Sequence, residues 1–524
     1  MAHPASTQAT VQPRINPWIT LSLVCIAVFV GSVDLTIVSA VLPRIVTDLN
    51  VSIDSELSYA SWIISGYLLT YTISMAFMGR FSDLIGRRMM YFVCLLIFLL
   101  GSAIAAIAWT LDLVILGRVV QALGAGAIVP ISMALVGDLF APEKRAPALG
   151  FVGAIETIGW MVGHLYGGVL MALFDDWRLL FWINIPAGLL ALGLTWWALR
   201  DVQPRRASGT FDWPGALLLS ASLIALNVGL SAGSELGLTD FYGQVQGLPP
   251  YALPLVLSSL LLFVAFIVVE QRVRDPLIDL AMFRQPMAAS ACLINALFGF
   301  VLALALTNVP LFVNARLGLL NPTDMTILRT AAWDSGWLLA ALTLTMGLLA
   351  VPGGWLTNRL GLRPTTMIGL VLTLVGFVLL STWQSDTSYL MMSIQLMITG
   401  IGMGLVISPV ATAILQSADA ERRGSASALV ITLRLVGMTL GVSVLTLWGV
   451  YRQNMLRSNA DAAAQAGIDY ALASSDPAQF LLAVATTVIG EIFLAGAIAS
   501  LLALVCAWWL RPVLDETRGE HRAT

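Results

Sequence analysis

Fourteen long apolar runs leave this chain few ways to fold. They fall at about 18–42, 59–79, 89–108, 112–136, 147–172, 179–199 and 213–232, then at 251–270, 287–311, 335–356, 365–382, 388–416, 426–449 and 482–510. About 20 apolar residues cross a bilayer core as one helix. Inside hydrocarbon only helices and closed barrels satisfy their own backbone groups. The runs therefore predict an all-α membrane protein with about fourteen spanning helices. Charged residues make up 11% of the chain, against about 25% in soluble domains. No small-residue cleavage pattern follows the first run, which reads as a retained span and not a removed signal peptide.

Basic residues fix the expected orientation. Cytoplasmic loops are enriched in Lys and Arg. The N-terminal tail, the even-numbered loops and the C-terminal tail carry nineteen of the 27, the odd-numbered loops six, and Arg118 and Arg434 lie inside runs. The pattern predicts a multi-pass protein of the bacterial inner membrane with both termini cytoplasmic. The longest outer segments are 312–334 and 450–481.

Composition excludes several classes of function. The net charge is −3, with no basic stripe to track phosphates, so no nucleic-acid partner is expected. Cys25, Cys94, Cys292 and Cys506 sit singly in apolar runs and suggest neither disulfides nor a thiolate metal site. A nucleotide-binding phosphate loop needs Gly-Lys-Ser/Thr, yet the lone lysine, Lys144, lies between Glu143 and Arg145. An ATP-driven pump is thereby excluded on this chain's own residues. Of three histidines only His164 is in a run, which leaves no metal centre, and no nucleophile–base pair marks a catalytic site. An intramembrane enzyme and a channel stand as weaker readings. The chain is expected to need no cofactor beyond a proton gradient.

A connector recurs. Gly79, Asp83, Gly86, Arg87 and Arg88 follow the second run, and Gly354, Asn358, Arg359 and Gly361 follow the tenth. Each has Gly, an Asp or Asn four residues on, and Gly three further. Repeated halves are a common way to build a transporter. The copies stand eight runs apart where two six-helix halves would put them six apart, so runs seven and eight read as an inserted pair. The expected units are a six-helix bundle over 1–199, a two-helix linker over 200–286, and a second six-helix bundle with a short tail over 287–524.

Ionisable groups inside a bilayer are costly and mark functional candidates. Asp34, Arg118, Glu156, Arg434 and Glu491 are such groups. At about 1.5 Å per residue, Asp34 and Arg118 come to similar depth from opposite faces and could pair. Such a pair would hold Asp34 ionised, and its loss would favour protonation. A structural ion pair is the plainer alternative. Glu156 and Arg434 also share a depth and could pair across the halves as a gate, or each could find a partner nearer by. Glu491 reads as a second protonatable site, a member of a gate or second ion pair, or merely a group facing a wet crevice. Gly150, Gly159, Gly163, Gly167 and Gly168, with His164 among them, form a small-residue stripe suited to close helix packing.

These residues resemble the major facilitator superfamily, in particular its fourteen-spanner drug:proton antiporters. The first connector is similar to the superfamily's loop signature at Gly79, Asp83, Gly86, Arg87 and Arg88, departing at Phe81 and Leu84. Arg118, Gln121 and Gly124 resemble the signature of its fourth span, with Ala122 in place of glycine. The glycine stripe resembles the antiporter helix, with His164 at the usual proline. Asp34 lies in a similar Val-Asp-x-Thr-Ile-Val stretch, and Trp177–Gly188 and Phe211–Gly215 also look like that family. The resemblance implies alternating access between two bundles. It implies proton coupling at Asp34 and Arg118, and a lock between Asp83 and the start of run thirteen. A narrower likeness, at Gly404–Pro409, Ala426–Arg434, Trp448–Arg452 and Gly490–Phe493, is to mycobacterial lipid exporters that work with a lipoprotein.

The expected function is proton-coupled export of a hydrophobic or amphipathic compound, of the multidrug-efflux type. The alternative is a lipid exporter of the same fold moving triacylglyceride or glycolipid. The expected partners are the apolar substrate, membrane lipids and, for a lipid exporter, an external lipoprotein.

Overall fold

The computed structural model describes residues 15–49, 60, 62–174, 176–202, 209–239, 250–320 and 327–511. Fourteen long helices occupy them: α1 (Pro17–Asp48), α2 (Trp62–Ile85), α3 (Arg87–Ala106), α4 (Leu111–Leu139), α5 (Pro142–Phe174), α6 (Arg178–Ala198), α7 (Trp213–Thr239), α8 (Ala252–Glu270), α9 (Pro286–Leu320), α10 (Ile327–Leu360), α11 (Leu362–Leu380), α12 (Tyr389–Gln416), α13 (Arg423–Ser458) and α14 (Pro477–Cys506). No strand occurs among the described residues.

Each apolar run became a helix, but the count of spanning helices is lower than expected. Twelve are long and apolar enough to cross a membrane in one piece. Helix α2 is bent by 43° between Trp62–Met75 and Phe77–Ile85, and counts as a thirteenth if the pair is one span. In α7 the apolar stretch Trp213–Gly229 is shorter. Its 17 residues would rise only about 25 Å against a core of about 30 Å.

Local chemistry sets the helix ends. Thr110, Ser388 and Asp476 cap α4, α12 and α14 by accepting from the backbone N–H three residues on, as N-cap side chains do. Gly86 and Gly361 stand at the starts of α3 and α11 with φ of +106° and +95°, a region glycine enters without steric cost. Both glycines belong to the repeated connector, so the repeat in sequence is a repeat in backbone shape.

The expected outer loops proved largely helical. Helix α9 runs on to Leu320, α10 begins at Ile327 and α13 continues to Ser458. At about 1.5 Å per residue, α9, α10 and α13 are each about 50 Å long, well beyond a bilayer core.

Helices α7 and α8 pack on each other. Leu219 and Leu223 of α7 share an apolar cluster with Ile73 and Phe77 of α2 and Val436 of α13. The outer face of α8 exposes Leu253, Leu257, Leu260, Leu261 and Val264, as a lipid-facing helix would. The pair thus lies over a seam between α2 and α13.

Helix α5 lies between α1 and α10. Its outer glycines take α1: Gly163 fits against the Val33 carbonyl and Thr36, and Gly159 against Ser32. Its first turns take α10: Gly150 sits on the Ala350 carbonyl. A side chain at either place would collide with backbone or helix-borne atoms, which is the close packing the small-residue stripe predicts. The side chains of His164 and Gly168 lie outside the described residues.

Candidate functional site

Asp34 on α1 and Arg118 on α4 meet inside the bundle, 0% and 1% exposed. Arg118 NH1 lies 2.7 Å from Asp34 Oδ2, and NH2 donates to the Asp34 carbonyl at 3.3 Å. Asp34 Oδ1 accepts from Gln121 Nε2 at 2.8 Å and from Asn184 Nδ2 of α6 at 2.6 Å. Gln121 also donates to Ser102 of α3 at 2.7 Å and accepts from Arg118 at 2.6 Å. The Tyr67 ring of α2 lies 3.7 Å beneath the guanidinium. One carboxylate therefore ties together α1, α4 and α6. A buried carboxylate needs such a partner set to stay ionised.

Sequence reasoning paired Asp34 with Arg118 but gave no role to Gln121, Asn184, Ser102 or Tyr67. Gln121 and Asn184 lay inside the quoted motifs. Ser102 and Tyr67 carry no signal in sequence, because only packing brings them in.

A second buried pair joins the N-terminal and C-terminal helices. Arg434 NH2 of α13 donates to Glu156 Oε1 of α5 at 2.5 Å. The two side chains are 4% and 1% exposed. Of the two alternatives left open for Glu156 and Arg434, the inter-half pair is the one formed. Tyr71 lies within electrostatic range of Glu156, Arg434 and Asp34. Its ring stacks on Tyr67 at 5.8 Å, the ring that lies beneath Arg118.

Glu491 belongs to neither site. It pairs instead with Arg452 of α13, whose NH2 lies 2.8 Å away. Arg452 had been placed in an outer loop. Because α13 continues to Ser458, Arg452 stands on a helix beside α14 and meets Glu491 there.

The repeated connectors close the end of the bundle that carries the basic loops. Asp83 accepts from the Gly424 and Ser425 backbone N–H groups at 3.0 and 3.1 Å. These are the free donors at the start of α13, where a carboxylate is favoured. Arg87 links Asp83 at 3.3 Å to Asp138 at 2.5 Å. Arg423 donates to the Gly137 carbonyl at 2.6 Å. In the second copy, Asn358 donates to the Glu143 carbonyl at the start of α5, at 2.5 Å, while Gly354 packs on Ala146 and Pro147. Arg88 stacks on Trp196 at 4.0 Å, and Arg363 on Trp508 at 3.5 Å. Arg359 is exposed.

No group of three or more His, Cys, Asp or Glu side chains suited to a metal occurs among the described residues. Cys25, Cys94, Cys292 and Cys506 are free thiols.

A helical membrane protein with buried ion pairs and a repeated connector at one end is built as membrane transporters are. The chain belongs to the Major Facilitator Superfamily, whose family profile matches residues 24–442 and 318–524. It is 34% identical to a triacylglyceride transporter of Mycolicibacterium hassiacum over 87% of this chain and 83% of that protein. It is 33% identical to one of Mycolicibacterium smegmatis over 93% of this chain and 86% of that protein. Among solved structures, the human organic anion transporter MFSD10 (TETRAN) superposes with a TM-score of 0.59 at 14% identity, covering 94% of this chain and all of that one. That last likeness concerns the fold alone.

Proposed function

We propose that this transporter exports a neutral lipid of the triacylglyceride class, driven by protons exchanged at Asp34. The carrying observation for the substrate is the similarity, over most of both chains, to transporters named for triacylglyceride. It favours lipid export over the multidrug efflux expected first. Asp34 carries the coupling reading: it is fully buried yet held only by groups that could release it when it is neutralised. Protonation would remove its charge and loosen α1 from α4 and α6, which would leave Arg118 to re-pair.

The basic end is read as cytoplasmic, by the charge rule, in the inner membrane of a bacterium. Contacts between the N-terminal and C-terminal helices run from Asp83–Gly424 to Glu156–Arg434. They support a state closed toward the cytoplasm, with substrate released outward. The proton gradient is the energy source and no cofactor is invoked. An external lipoprotein is the expected acceptor.

Reconstituted liposomes with an imposed proton gradient test this reading. A fluorescent triacylglyceride and a lipophilic cationic dye would be followed in parallel, in wild type and Asp34→Asn. Gradient-dependent movement of the lipid, lost in the variant, is the expected outcome. Movement of the dye alone would return the protein to drug efflux. Lipid flux that ignores the gradient would remove the coupling.

A further inference from the structure

The α7–α8 pair holds two carboxyls that neither the gate nor the Asp34 site uses. Asp212 precedes α7, and Glu270 is the last residue of α8. Each is 3% exposed. Asp212 Oδ1 caps α7 through the Gly215 N–H at 2.9 Å. Its Oδ2 is buried with no hydrogen-bond partner. Asp212 and Glu270 are within side-chain hydrogen-bonding range of each other, and Asp212 Oδ2 and Glu270 Oε1 lie against the same side of Gly215. Both carboxyls crowd the α-carbon of Gly215, where a Cβ would collide with Asp212 Oδ2 and stand 2.8 Å from Glu270 Oε1. Only glycine leaves room for the pair.

Among the described residues no basic side chain is paired with Glu270. The charged group acting on Glu270 is Asp212, and its other partners are the Leu277 and Ile278 backbone N–H groups, at 3.2 and 3.4 Å. From α2, the Arg80 charge acts on Asp83 and Asp275. Beyond α8, Asp275 accepts from the Thr210 N–H at 3.0 Å and Asp279 pairs with Arg422 at 3.2 Å. From α13, Arg423 is engaged with Asp138. Arg272, Arg274 and Arg284 complete the charges on the segment after α8, and the one charged residue of α7, Glu235, stands toward its far end. Two facing carboxylates out of water cannot both ionise cheaply. Glu270 also closes a helix C-terminus, where negative charge is disfavoured, while Asp212 opens a helix N-terminus, where it is favoured. A proton held by Glu270 and donated to Asp212 Oδ2 satisfies all of these constraints.

We propose that Asp212 and Glu270 form a proton-binding site, separate from Asp34, that fastens the α7–α8 pair and the 277–279 segment to the start of α13. With the proton bound the pair carries one negative charge. When it leaves for solvent the pair carries two, and the repulsion falls on Glu270. Glu270 is the group that holds Leu277 and Ile278, whose neighbour Asp279 grips Arg422, one residue before α13. The same α13 start is held from the other side by Asp83. Loss of the linker proton therefore loosens one of the fastenings on the start of α13, beside those made by Asp83 and by Arg423 with Gly137 and Asp138. This site requires no assumption about the transported substrate.

Hydrogen–deuterium exchange of the full-length protein in nanodiscs, read by mass spectrometry over the 271–285 segment from acid to alkaline pH, tests it. After correction for intrinsic exchange, wild-type Leu277 and Ile278 amides are expected to lose protection by up to about tenfold per pH unit between the pH at which the undocked carboxyl gives up its proton and the higher pH at which the docked site does. The sign follows from the proton's role, since docking takes it up and so weakens as pH rises. Glu270→Gln is expected to hold its protection flat across pH. Asp212→Asn removes the facing charge, and with it the repulsion, and is expected to shrink the pH-dependent loss toward the flat profile of Glu270→Gln; it carries the test if Glu270→Gln does not fold. Gly215→Ala is expected to abolish protection here at every pH while α3 and α4 stay protected. Wild-type protection that does not change with pH overturns the proposal, as does a Glu270→Gln variant that titrates like wild type. Protection that follows sodium concentration and not pH would make the site a metal-cation site and overturn it equally.

Discussion

Glu156 and Arg434 stand 278 residues apart in sequence and share one hydrogen bond of 2.5 Å, buried where α5 meets α13. Removing one member of a buried pair leaves the other uncompensated, at a cost of about 3–5 kcal/mol. Glu156→Gln and Arg434→Gln are each expected to lower thermal stability strongly. The double variant should recover most of the loss. A double-mutant cycle on unfolding midpoints checks this, and additive effects would show that the pair does not couple the halves.

Asp34→Asn removes the ionisable group and keeps the amide acceptor for Asn184 and Gln121. Gradient-driven flux is expected to fall to the level of protein-free liposomes. Exchange of labelled for unlabelled substrate without a gradient should persist. Loss of both activities together would mark Asp34 as a structural ion-pair member only.

Asp83 holds the start of α13 through two backbone N–H groups. Charge-assisted hydrogen bonds contribute about 1.5–3 kcal/mol each, so Asp83→Asn should shift the bundle toward opening at the basic end. Ser427, fully buried, reports on it as Ser427→Cys. Thiol labelling from that side is expected to speed up at least about tenfold in the Asp83→Asn background. Unchanged labelling would remove Asp83 from the closure.

Arg452 and Glu491 supply the contrast. Their side chains are 20% and 28% exposed, and pairs reached by solvent contribute about 0–1 kcal/mol. Arg452→Gln should leave both stability and lipid flux near wild type in the liposome assay. A dead variant would move functional weight to the outer end of α13 and α14.

Much of the site was legible in the sequence because a bilayer is an unforgiving solvent. Charges in hydrocarbon are few, so Asp34, Arg118, Glu156 and Arg434 stood out singly, and depth alone suggested which could meet. Glu491 was legible as an ion-pair candidate, but its partner Arg452 was not, because depth says nothing about azimuth. A helix places its side chains around a full turn every 3.6 residues, and it is the rotation of α14 that sets Glu491 beside Arg452 of α13. Gln121, Asn184, Ser102 and Tyr67 could not be assigned to Asp34 because polar residues in apolar helices usually bond their own backbone. Thr157 and Ser500 do so here.

The sequence by itself determined the membrane class, the helical segments, the expected orientation and the repeated connector. These follow from hydropathy, charge and glycine, which act over a few turns of one helix. The tertiary structure alone decided which buried charges share a partner. It also decided how far α9, α10 and α13 extend, and that Asp212 and Glu270 meet beside Gly215. Those outcomes depend on the rotation of each helix about its axis and on which helices touch, and both are set by packing among residues far apart in the chain.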